Sequence, residues 1–196
     1  KMKNAKTLLQ NIEQISVLPE MTKFVDRIND KDVKKIQGFE LDVIIRLGFR
    51  ILKGDILNSA KCGVWSFHHG DNNVNRGGPA GFWEVFKQIP TTGSILQILN
   101  DDLDGGKIIS KSYSTTDPTF VKRNQNNYYM KSLSFVPRKL KELSVIGHEE
   151  FLKKVDEENS NLGFYSYPLY NKPKNIEFLK LGLSNFGKRL KQKITN

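Results

Sequence analysis

Between residues 41 and 49 the chain reads Leu-Asp-Val-Ile-Ile-Arg-Leu-Gly-Phe. Apolar residues fall on both parities of this run, so neither face of it is free to meet water. It reads as a strand covered on both sides, most simply a parallel one, and Gly48 ends it. A second run, Gly63-Val64-Trp65-Ser66-Phe67-His68, has the same character. The stretch between them, Ile51–Ala60, reads as a helix. Strand, helix, strand is a βαβ unit, and a sheet that must be covered on both faces restricts the chain to an α/β architecture.

The neighbouring segments extend this unit. Leu8, Ile12 and Ile15 fall at helical spacing, so residues 4–16 read as an amphipathic helix that Pro19 closes. Thr22–Ile28 reads as a short strand. Asn29 or Asp30 caps a short helix carrying Val33 and Ile36, which Gly38 ends. Residues 69–81 are rich in Gly and Asn and read as a loop, followed by a helix over Pro79–Lys87. Ser94–Leu99 and Lys107–Tyr113 read as further strands joined by the turn Asp101–Gly106.

Beyond residue 117 the pattern changes. Thr119–Glu142, Gly147–Glu158 and Lys174–Lys193 read as helices, with a Tyr- and Pro-rich loop over residues 163–173. The last helix carries Ile176, Leu179, Leu183, Phe186 and Leu190 at spacings of three and four, the pattern of a buried stripe. Its opposite face holds Lys180, Lys188, Arg189, Lys191 and Lys193. The expected organisation is therefore an α/β domain over residues 1–117 and a helical extension over 118–196 packed on it.

Composition excludes several classes. The 196 residues include 12 Phe, 6 Tyr and 2 Trp, too many aromatics for a disordered chain. Cys62 stands alone, so neither an internal disulfide framework nor a four-cysteine zinc site is available. One cysteine and no signal-like start fit a cytoplasmic protein. A start at Lys followed by Met reads as a piece of something longer. No apolar run reaches the roughly 18–20 residues of a membrane span. The 31 Lys and Arg against 21 Asp and Glu leave a charge of +10, compatible with anionic partners but specific for none.

Two polar clusters stand at strand ends, where open α/β sheets bind ligands. One is Ser66-Phe67-His68-His69-Gly70-Asp71-Asn72-Asn73; the other is Asp101–Gly106. An imidazole exchanges protons near neutrality, and a nearby carboxylate orients it and favours its charged form. Together they make a general base with support for a developing oxyanion. His68 and His69 alternate along the strand, so one of them suffices for such a site. Read plainly, a strand-end His is a surface residue and Asp-Gly is turn chemistry. A zinc set lacks a second His or Cys source, so no metal is expected. No dinucleotide or phosphate-loop glycine pattern is present.

In order, the segments Asp42–Leu52, Gly63–His68, Arg76-Gly77-Gly78-Pro79, Thr92–Gln97 and Leu103-Asp104-Gly105-Gly106 resemble the catalytic domain of the folate-dependent formyltransferases, which include methionyl-tRNA and glycinamide ribonucleotide formyltransferases. The family pattern is an apolar strand, Asn-x-His, Arg-Gly eight residues after the His, a Thr-Gly strand and Leu-Asp-x-Gly. Arg76 keeps that spacing from His68. The likeness covers residues 33–113, and the string Phe-His-His-Gly-Asp with Arg-Gly-Gly-Pro-x-Gly-Phe-Trp-Glu looks like a variant bacterial branch.

The resemblance implies a Rossmann-like formyltransferase fold with a mainly parallel sheet, shortened at its N-terminal side. It implies His68 and Asp104 as catalytic residues and 10-formyltetrahydrofolate as the donor. It also implies an amine of a small substrate, such as an amino sugar or nucleotide sugar, as the acceptor. Ser66 stands where the family has the Asn that donates to the formyl oxygen. His69, Asp71 and Asn72 replace the usual Ser-Leu-Leu-Pro wall; with Arg76 and Gly77 they are the expected substrate-binding residues. The alternative is a catalytically inactive formyltransferase-like binding module within a larger multidomain protein. An RNA-binding role is disfavoured because the lysines are dispersed and the helical C-terminus does not read as a five-stranded barrel. Strong salt dependence of binding would mark that role.

Overall fold

The computed structural model describes residues 10–71, 76–102, 105–160, 169–170 and 172–194. Two short strands, β1 (Glu20–Met21) and β2 (Val25–Arg27), precede helix α1 (Asp30–Gln37). Asn29 caps α1: its Oδ1 accepts from the Asp32 amide at 2.9 Å, and its Nδ2 donates to the Asp32 carboxylate at 2.9 Å. Gly38 follows the helix, as the sequence predicts. Next come β3 (Ile44–Arg46), β4 (Ile51–Lys53), a 3-10 turn over Asp55–Asn58 and β5 (Val64–His68). Then follow β6 (Arg76–Gly77), α2 (Phe82–Lys87), β7 (Thr91–Ile98) and β8 (Lys107–Thr115). The C-terminal part holds α3 (Val121–Ser132), α4 (Phe135–Ile146), α5 (His148–Ser160), β9 (Leu169–Tyr170) and α6 (Asn175–Ile194).

The central sheet has the order β3-β5-β7-β8. β3 and β5 are parallel neighbours, as the βαβ reading requires, with Arg46 opposite Ser66. β5–β7 and β7–β8 are antiparallel, so the sheet is mixed where a mainly parallel one was expected. The tight Asp101–Gly106 connection explains the second of these pairings: a short turn joins antiparallel strands, and only a long crossover returns the chain parallel.

Alternation along β5 assigns its faces. Trp65 and Phe67 point to one side and pack with Leu96, Ile109, Phe135 and Phe151, so α4 and α5 cover that face. Val64 points to the other side and packs with Ile28, Val33, Leu52, Ile56 and Leu57. Ser66 and His68 share this second face with Val64, beyond its apolar cluster. A third cluster joins α2 to α6 through Phe82, Trp83, Val85 and Leu181.

Several sequence expectations are corrected. Ile51–Ala60 is not a helix: β4 pairs with β2 in a separate small sheet, and Gly54, at φ 91°, turns the chain into the 3-10 segment. Residues 119–142 form two helices, because Pro137 lacks an amide hydrogen and is tolerated only in a first turn, here that of α4. Residues 10–16 are turn and irregular chain rather than helix, and the earlier part of that expected helix lies outside the described residues. Most of the 163–173 loop also lies outside them; within it, Leu169–Tyr170 pairs with Arg76–Gly77. The apolar stripe of α6 is exposed, from 45% at Leu190 to 74% at Leu183, while Leu181 on its other side is buried. No helix among the described residues is long and apolar enough to cross a membrane.

Candidate active site

Arg46 is the last residue of β3 and His68 the last of β5, so both stand at the carboxyl ends of the parallel pair. A cleft of about 230 Å³ opens there, lined by Arg46, Ser66, His68, Gln97, Asn100 and Asp101 among others. β7 runs against β5, so its own carboxyl end lies on the opposite side from His68, contrary to a simple meeting of two strand ends. The loop after β7 nevertheless contributes Asn100, Asp101 and Asp102 to the same cleft. That loop is shaped locally: Asn100 Oδ1 accepts from the Asp102 amide at 3.1 Å, and its Nδ2 donates to the Gly105 carbonyl at 3.0 Å.

Ser66 is buried and engaged. Arg46 Nη1 donates to its Oγ at 2.9 Å. The rest of the guanidinium holds the carbonyls of Phe49 and Arg50, which fixes its plane. Arg50 in turn grips Asp26, with its Nε donating to Oδ1 at 2.8 Å and its amide donating to Oδ2 at 2.8 Å. Those bonds to Arg50, the backbone one foremost, hold the Asp26 carboxyl below its ordinary range against the opposing effect of burial. Arg46 is therefore a cation held in place, with its charge facing Ser66 and the cleft.

His68 and His69 part company, as alternation predicts. His68 lines the cleft. His69 lies outside its lining: it stacks on Tyr128 at 4.8 Å between ring centres, meets Tyr129 edge-on at 4.6 Å, and approaches Ser94 Oγ with Nδ1 at 3.2 Å. Burial among these rings, with the nearby His68 adding to it, pushes the His69 pKa down from 6.5 to about 4. It is neutral at physiological pH and acts as a packing residue.

Asp71 lies against β7. A Cβ placed on Gly93 would come within 2.8 Å of the Asp71 amide nitrogen, so the Thr-Gly pair is a close-approach site for the loop after His68. Tyr113 hydrogen-bonds Asp71, and its phenol is raised above its ordinary value by burial and by that carboxylate. Arg76 and Gly77 form the short strand β6 beside β9. Asn72 and Asp104 lie outside the described residues. Gly106, two residues past Asp104, approaches the sheet closely: a Cβ there would meet the Ile98 carbonyl oxygen at 2.2 Å and Gln97 Cδ at 3.4 Å. Gly106 is thereby tied to the strand that carries Gln97.

Of the residues singled out from sequence, the structure brings Ser66 and His68 into one cleft and sets His69 apart from it. Two lining residues, Arg46 and Gln97, escaped that reading. Their signal was present: each is a polar residue inside an apolar strand, in Val-Ile-Ile-Arg-Leu and Ile-Leu-Gln-Ile-Leu.

No protein-family profile matches the sequence, and no curated protein matches it. Solved structures do match in fold. Glycinamide ribonucleotide transformylase 1 from Symbiobacterium toebii superposes at a TM-score of 0.50 with 14% identity, over 55% of this chain and 52% of that one. A sugar N-formyltransferase from Shewanella sp. FDAARGOS_354 matches at a TM-score of 0.43 with 19% identity, over 75% of this chain and 52% of that one. HypX from Aquifex aeolicus in complex with tetrahydrofolic acid matches at 0.40 with 18% identity, over 71% of this chain and 22% of that one. The chain spans about half the length of the transformylase. The α/β fold is that of the transformylase, with helices in the C-terminal part.

Proposed function

We propose that the chain is a folate-dependent formyltransferase module. It would move a formyl group from 10-formyltetrahydrofolate to an amine of a small substrate, such as an amino sugar or nucleotide sugar. The observation that carries this reading is the shared cleft of His68 and Ser66 at the carboxyl end of the β3–β5 pair, on a fold like that of a glycinamide ribonucleotide transformylase.

In this reading the amine nitrogen bonds to the formyl carbon and the carbonyl becomes a tetrahedral oxyanion. The bond from that carbon to folate N10 then breaks. The amine loses one proton and N10 gains one, so the reaction balances without a redox partner. His68 supports the oxyanion, and Asp104 relays the proton. Ser66 replaces the family's amide donor with a shorter hydroxyl. Asp71, Asn72, Arg76 and Gly77 are assigned to binding the acceptor, from the family likeness. A second reading, a formyltransferase-like binding module without turnover, draws on one observation: the Ser66 hydroxyl is already held by Arg46.

The test is incubation with 10-formyltetrahydrofolate and a panel of amino sugars and nucleotide-linked amino sugars, following tetrahydrofolate release. Release that requires both an amine and His68 supports transfer. Tight folate binding without release supports the binding module, and neither binding nor release overturns both readings.

A further inference from the structure

Across the second face of the central sheet the side chains fall into rows. Ile44 and Val64 form an apolar row at one level, on the register that pairs β3 with β5. One level on, Arg46 stands opposite Ser66, and Ser66 stands opposite Gln97 on β7. A charged residue, a hydroxyl and a carboxamide thus form one row across three adjacent strands, and all three line the cleft that holds His68. A core does not need this row. Ser66 is 1% exposed and Gln97 is 3% exposed.

Gln97 carries the decisive feature. Its Oε1 is buried and has no hydrogen-bond partner among the described residues. Buried acceptors in folded proteins are nearly always paired, and a Leu would pack on this face without that cost. An unpaired buried acceptor on a residue that lines a cleft calls for an N–H donor from a ligand. At the other end of the row, Arg46 presents only donors and a fixed positive charge. The outer strands of the row are about 10 Å apart, and Arg46 reaches across to the Ser66 hydroxyl between them.

We propose that the row Arg46–Ser66–Gln97 is a binding subsite for a secondary formamide group, –NH–CHO. The guanidinium and the Ser66 hydroxyl face the carbonyl oxygen, and Gln97 Oε1 accepts the N–H. This rests on the formyl-transfer reading, since a secondary formamide is what transfer to a primary amine produces. It adds two residues that the family likeness does not supply. Arg46 stands in for the donor lost at Ser66 by placing a charge-assisted donor beside the same point. Gln97 selects an acceptor nitrogen that retains a hydrogen in the product, which excludes secondary amines as acceptors.

The experiment needs no folate. Isotope-labelled protein is titrated with N-methylformamide and, separately, with N,N-dimethylformamide, following the Gln97 side-chain amide and the Ser66 backbone amide by NMR. The two probes share the formyl group and differ in the N–H. The expected result is saturable shifts for both, with N-methylformamide binding about five- to tenfold more tightly. Gln97→Leu should equalise the two probes, Gln97→Glu should keep the preference, and Arg46→Gln should weaken both about tenfold. Equal affinities in the unaltered protein, or shifts that do not saturate, overturn the subsite. Formamide binding as expected without tetrahydrofolate release in the transfer assay would keep the subsite and remove the transferase reading.

Discussion

Arg46 and Ser66 face each other across two parallel strands, and the guanidinium donates to the serine hydroxyl at 2.9 Å in a site where Ser66 is 1% exposed. This contact changes what the serine means. In the proposed transfer, a short hydroxyl in place of the family's amide removes a donor to the formyl oxygen, yet the donor next to it is a cation. Ser66→Asn is therefore expected to harm rather than restore. The larger side chain must displace the Arg46 contact and intrude on the cleft, and overpacking of this kind costs about 1–3 kcal/mol. Formyl transfer measured by tetrahydrofolate release should fall about tenfold or more. A rise would show that Ser66, not Arg46, limits the reaction.

His68→Ala and Asp104→Asn are each expected to lower kcat by about 10²–10⁴ while KM moves little, because in the proposed mechanism both groups act on charge and protons that develop only in the transition state. Steady-state kinetics with varied amine separates this from a binding defect, which would raise KM at constant kcat.

A prediction for the fold concerns Asn124, fully buried on α3. Its Nδ2 donates to Thr92 Oγ1 at 2.9 Å and to the Gly81 carbonyl at 3.2 Å, and its Oδ1 accepts from the Asp117 amide at 3.2 Å. It ties the helix to β7 and to the start of α2. Asn124→Leu strands those groups and is expected to cost about 2–4 kcal/mol in urea unfolding. A cost below about 1 kcal/mol would show that the network is dispensable.

How far the sequence was legible depended on how local each signal was. The runs around Ile44 and Trp65 announced β3 and β5 and their parallel pairing; the continuous apolar pattern matches two-sided burial at β5, whereas Ile45 of β3 meets solvent, so β3 is covered on one side only. The segment Ile51–Ala60 misled because Ile51-Leu52-Lys53 takes its structure from a distant partner, β2, which no local propensity reports. The stripe on α6 has the spacing of a buried face but meets solvent, since spacing fixes which residues share a face and not what lies against it. At the site, His68 was readable from its position at a strand end. Arg46 and Gln97 were marked only as polar residues inside apolar strands; their significance is the cross-strand register with Ser66, which appears only once β3, β5 and β7 are aligned.

The protein's acid response should carry the signature of His69. Its folded pKa of about 4 lies below the 6.5 of a free imidazole, so the unfolded chain binds the proton more readily. The contribution of this residue is complete above about pH 6.5 and is lost as the pH falls toward about 4. His69→Phe keeps the stacking on Tyr128 without a titrating group. Chemical denaturation between pH 4 and 8 should show a shallower loss of stability in that variant. Parallel pH curves for the two proteins would contradict the burial of a neutral imidazole.

Whether the cleft of Arg46, Ser66 and His68 receives the formyl end of a folate donor is decided by a crystal structure with 10-formyl-5,8-dideazafolate. This stable analogue keeps the formyl group on N10. Its formyl oxygen is expected within about 3 Å of the Arg46 guanidinium or the His68 ring, with Gln97 Oε1 within reach of the space left for the acceptor nitrogen. A ligand seated instead in the apolar cavity between α1 and β3, lined by Ile28, Ile36, Phe39 and Phe49, would contradict it. So would a cleft that stays empty at saturating analogue.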